Sequence, residues 1–506
     1  MLVDDLPVLP ILMPLVAAPI CLLLPNTKFA GRFATLVAWT ALALCVSLLH
    51  TVAQVGPVEY ALGGWASPLG IIYRIDLAGA IVMTLVALMA SVTFPYAIES
   101  ARDEISDSQT SAFFAMFLIV FSGLMGVVAT GDAFNVFVFL EISSLSTYTL
   151  VAMGAKRDRR ALTAAFTYLV LGTIGATFFV IGLGLLYQVT GTLNMLDLHE
   201  RLLGADGEGL DNKVVRAGFA FIVTGLGLKL AMFPLHRWLP AAYTYAPSPV
   251  TAFLASTSTK VAIYAMLRFL FTVFGFNFGF ADIAFSIFLV LGLVGMFYGS
   301  LVAIFRQDVK MILAYSSVAQ IGYMLLGISF ATVGGVSSAL VHVVQHALMK
   351  GTLFLAVGAV FFALGSHRLS AYRGLGKTMP VTTGVFLLGG LSLIGVPLTG
   401  GFISKWVLIQ AAFDSVLAVP SLVIVLMIVA SSLLAVAYVG RIAWTMLLED
   451  PVAATPRRVP LSMMIPMLFM AALTLYFGVN AHGLVELCRA AAETLLTTGL
   501  GFGGAS

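Results

Sequence analysis

About fourteen apolar runs, each long enough to cross a lipid bilayer, close almost every soluble fold to this chain of 506 residues. A helix rises about 1.5 Å per residue and the hydrocarbon core is about 30 Å thick, so about 20 residues span it. The runs are Leu6 to Leu24, Phe33 to Val52, Ile75 to Ile98, Ser111 to Thr130, Phe134 to Met153, Leu162 to Gln188, Ala217 to Pro234 and Pro249 to Phe274. Six more follow: Ile283 to Phe305, Met311 to Ala331, Val336 to Leu364, Val381 to Phe413, Leu422 to Met446 and Leu461 to Val479. With 60% hydrophobic and only 10% charged residues, the chain lacks the polar surface of a soluble domain, about a quarter of which is charged. The expected fold is an all-α polytopic membrane protein.

Met1 to Asp5 holds two aspartates and no basic residue, so the first run reads as a retained span rather than a cleaved signal peptide. Basic residues gather in the odd loops: Lys28 and Arg32, Arg102, Lys156 to Arg160, Arg237, Arg306 with Lys310, Arg368 to Lys377, and Arg457 with Arg458. The even loops hold only Arg74, Arg201, Lys213, Arg216 and Arg268. Basic loops stay cytoplasmic, so both termini are expected on the outer side. Topology accounts for most of the basic excess behind the net charge of +3, and no nucleic-acid surface is implied. Cys21, Cys45 and Cys488 are too far apart for a metal or redox motif, and read as small apolar residues.

The ionisable residues inside the apolar runs need another explanation, since each costs about 2.5 to 3.5 kcal/mol at mid-membrane on insertion scales. They are Glu141, Lys229, Lys260, Lys350 and Lys405. One carboxylate cannot pair four lysines, and desolvation favours the neutral amine wherever a partner is missing. An amine poised between its two forms carries protons. His342, His346 and Lys350 follow one another at intervals of four residues, which stacks them on one helix face as a relay. Ser316, Ser317 and Gln320 on the preceding span can hold bridging water. Asp132 stands near the Glu141 end, either as a feeder or as a helix cap.

Two spans carry breaks. Gly225 and Gly227 precede Lys229 and Pro234 follows it; Gly389, Gly390, Gly395, Pro397, Gly400 and Gly401 precede Lys405. Such breaks free backbone groups that lipid cannot satisfy, so they belong beside a cavity or a partner helix. Spans seven and twelve lie five apart, which suggests two inverted five-helix repeats, spans 4–8 and 9–13. The division is then 1–110 for the first three spans, 111–276 and 277–448 for the repeats, and 449–506 for the last helix and tail.

GDAFNVFVFLE around Glu141, GLKLAMFPLHRWLP around Lys229 and Pro234, YAPSPVTAFL ahead of Lys260, the His346 and Lys350 segment, and GVPLTGGFISK ending at Lys405 together resemble the antiporter-like proton-pumping family. That family comprises the large subunits of Mrp-type sodium/proton antiporters and their homologues in complex I and membrane-bound hydrogenases. GGWASPLGIIYRID and LYQVTGTLNMLDL look most like the D-type member of the Mrp set, while SSVAQIGYM and HALMKGTLFL also resemble the complex I and hydrogenase subunits. A lysine at position 405 departs from the M-type subunit of complex I, which has a glutamate there. The long C-terminal extension of the L-type complex I subunit, shared by the A-type member of the Mrp set, has no counterpart.

The resemblance implies half-channels joined at mid-membrane by Glu141, Lys229, Lys260, His346, Lys350 and Lys405, with Glu141 and Lys229 as a switchable ion pair. It implies a bacterial cell-membrane subunit that exchanges protons, with sodium as the expected counter-ion, beside other membrane subunits of an antiporter. A redox-driven complex is the alternative. The sequence carries no phosphate-cradling loop, dinucleotide fingerprint or metal motif, so no cofactor is expected and energy must come through partner subunits. An enzyme in its own right would need polar groups clustered near one face, whereas these are strung across the middle.

Overall fold

The computed structural model describes residues 5–24, 27–204, 212–275, 279–415, 419–451 and 456–498. Residues 1–4, with the first of the two N-terminal aspartates, and the tail beyond residue 498 lie outside the described residues. In chain order the helices begin α1 (Leu9–Leu23), α2 (Thr27–Val55), α3 (Leu77–Glu104), α4 (Thr110–Ala129), α5 (Ala133–Ala152), α6 (Arg160–Thr190) and α7 (Met195–Leu203). Next come α8 (Lys213–Leu230), α9 (Trp238–Tyr245), α10 (Ser248–Ser256), α11 (Ser258–Leu267), α12 (Ala281–Phe305), α13 (Val309–Ser329) and α14 (Val333–Leu364). The last are α15 (Leu375–Thr378), α16 (Pro380–Ile394), α17 (Gly400–Phe413), α18 (Ser421–Leu447), α19 (Leu461–Val479) and α20 (His482–Thr498).

Among the described residues eleven helical stretches are long and apolar enough to cross a membrane. The short α1, the broken pair α8 and α9, and the broken pair α16 and α17 bring the membrane segments to the fourteen expected. The chain is therefore a multi-pass membrane protein. Helix α14 is its axis: it is buried along nearly its whole length and packs against α3, α10, α13, α16, α17, α19 and α20. Helices α6 and α18 instead turn rows of large apolar side chains outward, including Phe166, Ile174, Leu426 and Leu433. Such a face is stable only against lipid or a neighbouring protein.

Four features depart from the sequence expectation. A two-stranded antiparallel hairpin, β1 (Val58–Ala61) with β2 (Ile72–Ile75), sits between α2 and α3, so the fold is not wholly helical. The segment after α19 is a helix, α20, packed on α3 and α14. The eighth span is interrupted at Thr257, where α10 gives way to α11, and it finishes as a π-helix at Arg268–Val273. The seventh span does not end at Pro234: α8 stops at Leu230, Ala231 turns left-handed with φ 61°, and α9 resumes the path at Trp238.

The same local geometry occurs twice. Asp132 caps α5 by accepting from Asn135 N at 2.7 Å, and Asp308 caps α13 by accepting from Met311 N at 3.1 Å. Just inside each cap, Ala133 N donates to Leu193 O and Val309 N donates to His367 O, both at 2.8 Å. Each strand-like bridge follows a helix ended by a left-handed glycine, Gly191 after α6 and Gly365 after α14. The first bridge joins loops 4–5 and 6–7, and the second joins loops 9–10 and 11–12. With one crossing per span, those loop pairs fall on opposite faces, which is the signature of an inverted repeat.

Candidate functional site

Broken helices build part of the site: the interruption at Thr257 and the break at Gly395 release carbonyls that Lys260 and Lys405 then use. Lys229 is the penultimate residue of α8, beside the left-handed turn at Ala231. Its Nζ lies 3.3 Å from Glu141 Oε1 and donates to Ser144 Oγ at 2.5 Å. Glu141 and Ser144 are three residues apart on α5, so one helix face presents both acceptors.

Lys260, fully buried, lies in the first turn of α11, just past the interruption at Thr257. It donates to the carbonyl of Ala255, freed at the end of α10, and meets Thr259 Oγ1 at 3.4 Å. Lys350, in the middle of α14, donates to Leu313 O at 2.7 Å and to Ser316 Oγ at 2.5 Å. Lys405 on α17 uses the carbonyls released where α16 ends: Leu393 O at 3.3 Å and Ile394 O at 2.8 Å, with Ser432 Oγ at 2.9 Å. Gly395 makes that break, with φ +93°, a backbone conformation other residues rarely adopt. The Lys405 ammonium also stands 4.9 Å over the Tyr323 ring, a favourable cation–π placement.

Two histidines join these amines. The rings of His342 and His346 are nearly parallel at 5.9 Å, one helical turn apart on α14, and His342 Nδ1 pairs with Ser404 Oγ at 2.9 Å. Helices α10 and α11, at whose junction Lys260 lies, pack on α14, and His342 on α14 reaches Ser404, the residue before Lys405. Both ring nitrogens of His346, His342 Nε2, Gln320 Oε1 and Ser256 Oγ are buried without a protein partner. Buried polar atoms rarely stay unpaired, so this stretch is suited to hold water between the amines.

The remaining expected residues fall as follows. Ser316 and Ser317 both line α13; Ser317 returns its hydroxyl to Leu313 O at 3.2 Å. Nine residues beyond its cap α5 carries Glu141, and nine residues beyond its own cap α13 carries Ser317. The α13 position therefore holds a hydroxyl where α5 holds the carboxylate of the ion pair. Asp132 is brought to the N-terminus of α5 and not to Glu141, some 13 Å away along the helix by about 1.5 Å per residue. Burial raises the proton affinity of its carboxyl, opposed by the backbone N–H groups of Asn135 and Phe134. Pro234 and Pro397 lie inside the two breaks.

The sequence reading missed a second ion pair, which is buried on both sides. Arg268, assigned to an even loop, is buried in the π-helix and pairs with Asp76, with side-chain exposures of 9% and 3%. Its Nε donates to Tyr264 Oη at 2.7 Å, and Asp76 caps α3 through Gly79 N at 2.9 Å. Lys260, Tyr264 and Arg268 recur every four residues, the same signal that marked His342, His346 and Lys350. Lys310, also assigned to a loop, is buried and donates to Ala246 O at 2.9 Å.

A multi-pass helical protein with interrupted helices and a mid-membrane row of lysines and histidines defines a class of ion-translocating membrane subunit. The chain belongs to the NADH:quinone oxidoreductase/Mrp antiporter transmembrane family, matching it over residues 130–435. It is 41% identical over 462 residues to the N-type subunit of the NADH-quinone oxidoreductase of Desulforudis audaxviator, covering 90% of this chain and 89% of that protein. It is 31% identical over 411 residues to the D-type subunit of the Na(+)/H(+) antiporter of Alkalihalophilus pseudofirmus, covering 81% of each. Among solved structures, a chain of the Mrp complex from Dietzia sp. DQ12-45-1b superposes with a TM-score of 0.90 at 26% identity, over 98% of this chain and 99% of that one.

Proposed function

We propose that this chain is the proton-conducting subunit of a multisubunit monovalent cation/proton antiporter of the Mrp type, resembling the D-type member of that set, in a bacterial cell membrane with both termini outside. One observation supports the reading: beside the Glu141–Lys229 ion pair the chain buries Lys260, His346, Lys350, His342 and Lys405, a row that in our reading runs through two repeats, 111–276 and 277–448. In this reading Glu141 holds a proton on Lys229. When the pair opens, the ammonium loses roughly 4 kcal/mol of attraction, taking about 4 Å and an effective dielectric constant of about 20. Moving one charge against 100 mV costs about 2.3 kcal/mol, so opening the pair suffices to drive the proton toward Lys260. His346, Lys350 and His342 pass it on, and Lys405 exchanges with one aqueous face. Sister subunits supply the cation step and the energy.

The 41% identical relative, named as part of an NADH-quinone oxidoreductase, favours a second reading, in which the same row is driven by electron transfer in a peripheral arm. The experiment is a ΔpH assay in inverted vesicles containing the assembled complex. An added sodium pulse should collapse an imposed acid-inside gradient within the assay time, with no electron donor present. A gradient that ignores sodium but responds to a donor and quinone would replace the first reading with the second.

A further inference from the structure

Among the described residues no hydrogen bond joins Lys229 to Lys260: Lys229 holds Glu141 and Ser144, and Lys260 holds Ala255 O and Thr259 Oγ1. Two buried tyrosines, Tyr148 and Tyr168, stand near these partners. Tyr148 stands one turn beyond Ser144 on α5, and Ser144 is the hydroxyl that Lys229 holds at 2.5 Å. The Tyr148 and Tyr168 rings meet edge to face at 4.7 Å. Tyr168, on α6, lies flat on Trp238 at 4.0 Å and 5°, and Trp238 Nε1 is anchored to Leu228 O at 2.8 Å. This stack fixes Tyr168 against the break that bears Lys229. Its hydroxyl faces Ser258, two residues before Lys260 and next to the Thr259 hydroxyl that Lys260 meets.

The Tyr148 hydroxyl occupies space that a side chain would otherwise fill. A Cβ on Gly172 would stand 1.9 Å from Tyr148 Oη, so this tyrosine fits only because α6 has no side chain there. The hydroxyl is buried and faces Ser144, yet no well-formed hydrogen bond holds it there, although burying a hydroxyl without a firm partner costs free energy. Packing alone would be served by phenylalanine. A buried hydroxyl that faces Ser144 without being locked to it is better explained as a group that needs a changing partner.

We infer that the hydroxyls of Ser144, Tyr148, Tyr168 and Ser258 carry the step from Lys229 to Lys260, passing a proton between the two amines. Ser144 first turns its proton from Leu140 O, to which it donates at 2.6 Å, toward Tyr148; in each hop an oxygen then accepts a proton on the Lys229 side while its own proton leaves toward Lys260. The hydroxyls are unchanged after rotating back, and the net event is one proton moved from Lys229 Nζ to Lys260 Nζ. This inference rests on the proposed function, and its test separates the two.

The test compares Tyr148→Phe, Tyr168→Phe and Lys229→Ala complexes in proteoliposomes, reading proton flux, its solvent deuterium isotope effect and assembly. Phenylalanine keeps both ring contacts, so a structural role predicts wild-type flux. The bridge predicts normal assembly, a tenfold or greater fall in flux and a changed isotope effect for each tyrosine variant. It also predicts the same defect in Gly172→Ala, which displaces the Tyr148 hydroxyl without altering it chemically. Wild-type flux and isotope effect in both phenylalanine variants, with Lys229→Ala inactive, would overturn the bridge and leave the proposed function standing. Undiminished flux in Lys229→Ala would overturn both.

Discussion

Replacing Lys229 by alanine is expected to cut proton-coupled transport at least about a hundredfold, a barrier change of about 2.7 kcal/mol, while the complex still assembles. Among the described residues the amine is the one basic group paired with Glu141, at 3.3 Å, and with it gone the proton loses that site at this end of the row. Lys229→Arg sharpens the test. Arginine keeps the positive charge and can hold the carboxylate, yet it does not release its proton in proteins. If the pair merely clamps α5 to α8, arginine restores function; if Lys229 must give up a proton, the arginine variant is as inactive as the alanine one. Flux measured in proteoliposomes with matched amounts of complex decides between them.

Arg268→Ala is expected to destabilise the folded protein by about 3–5 kcal/mol, the usual result of removing one partner of a buried ion pair. The substitution strands the Asp76 carboxylate, 3% exposed, and removes the donor to Tyr264 Oη. Since Asp76 also caps α3, the compensating change is Asp76→Asn, which keeps a capping oxygen and removes the charge. The pair of substitutions should recover most of the loss. Unfolding curves in detergent measure this, and a loss below about 1 kcal/mol for Arg268→Ala would contradict the pairing.

The buried charges were legible in the sequence because lipid removes the alternatives. Glu141, Lys229, Lys260, Lys350 and Lys405 stand in apolar surroundings where a solvated face is not available, so each had to turn inward. The breaks in spans seven and twelve were legible for a similar reason: Pro234 and the Gly395–Pro397 pair cannot continue a helix. The break in span eight was not, because Ser256, Thr257, Ser258 and Thr259 can all sit in a helix, and only tertiary contact shows that Lys260 takes the freed Ala255 carbonyl. Arg268 was misread for want of its partner, which lies on a helix nearly two hundred residues earlier. The tyrosine bridge was invisible for the same reason, since Tyr148, Tyr168 and Ser258 meet only when α5, α6 and the α10–α11 break pack together. The hairpin of β1 and β2 was not legible because its two four-residue strands, though largely apolar, are far too short to cross a bilayer.

Lys260 gives the most direct test of the central claim, that a row of buried amines carries protons across the middle of the bundle. Its ammonium is held by a carbonyl and a hydroxyl, with no carboxylate pair among the described residues, so methionine can take its place without stranding a charge. The measurement is proton flux through reconstituted complexes bearing Lys260→Met. Flux at the background of empty liposomes, with normal assembly, is the predicted result; flux at the wild-type rate would contradict the account.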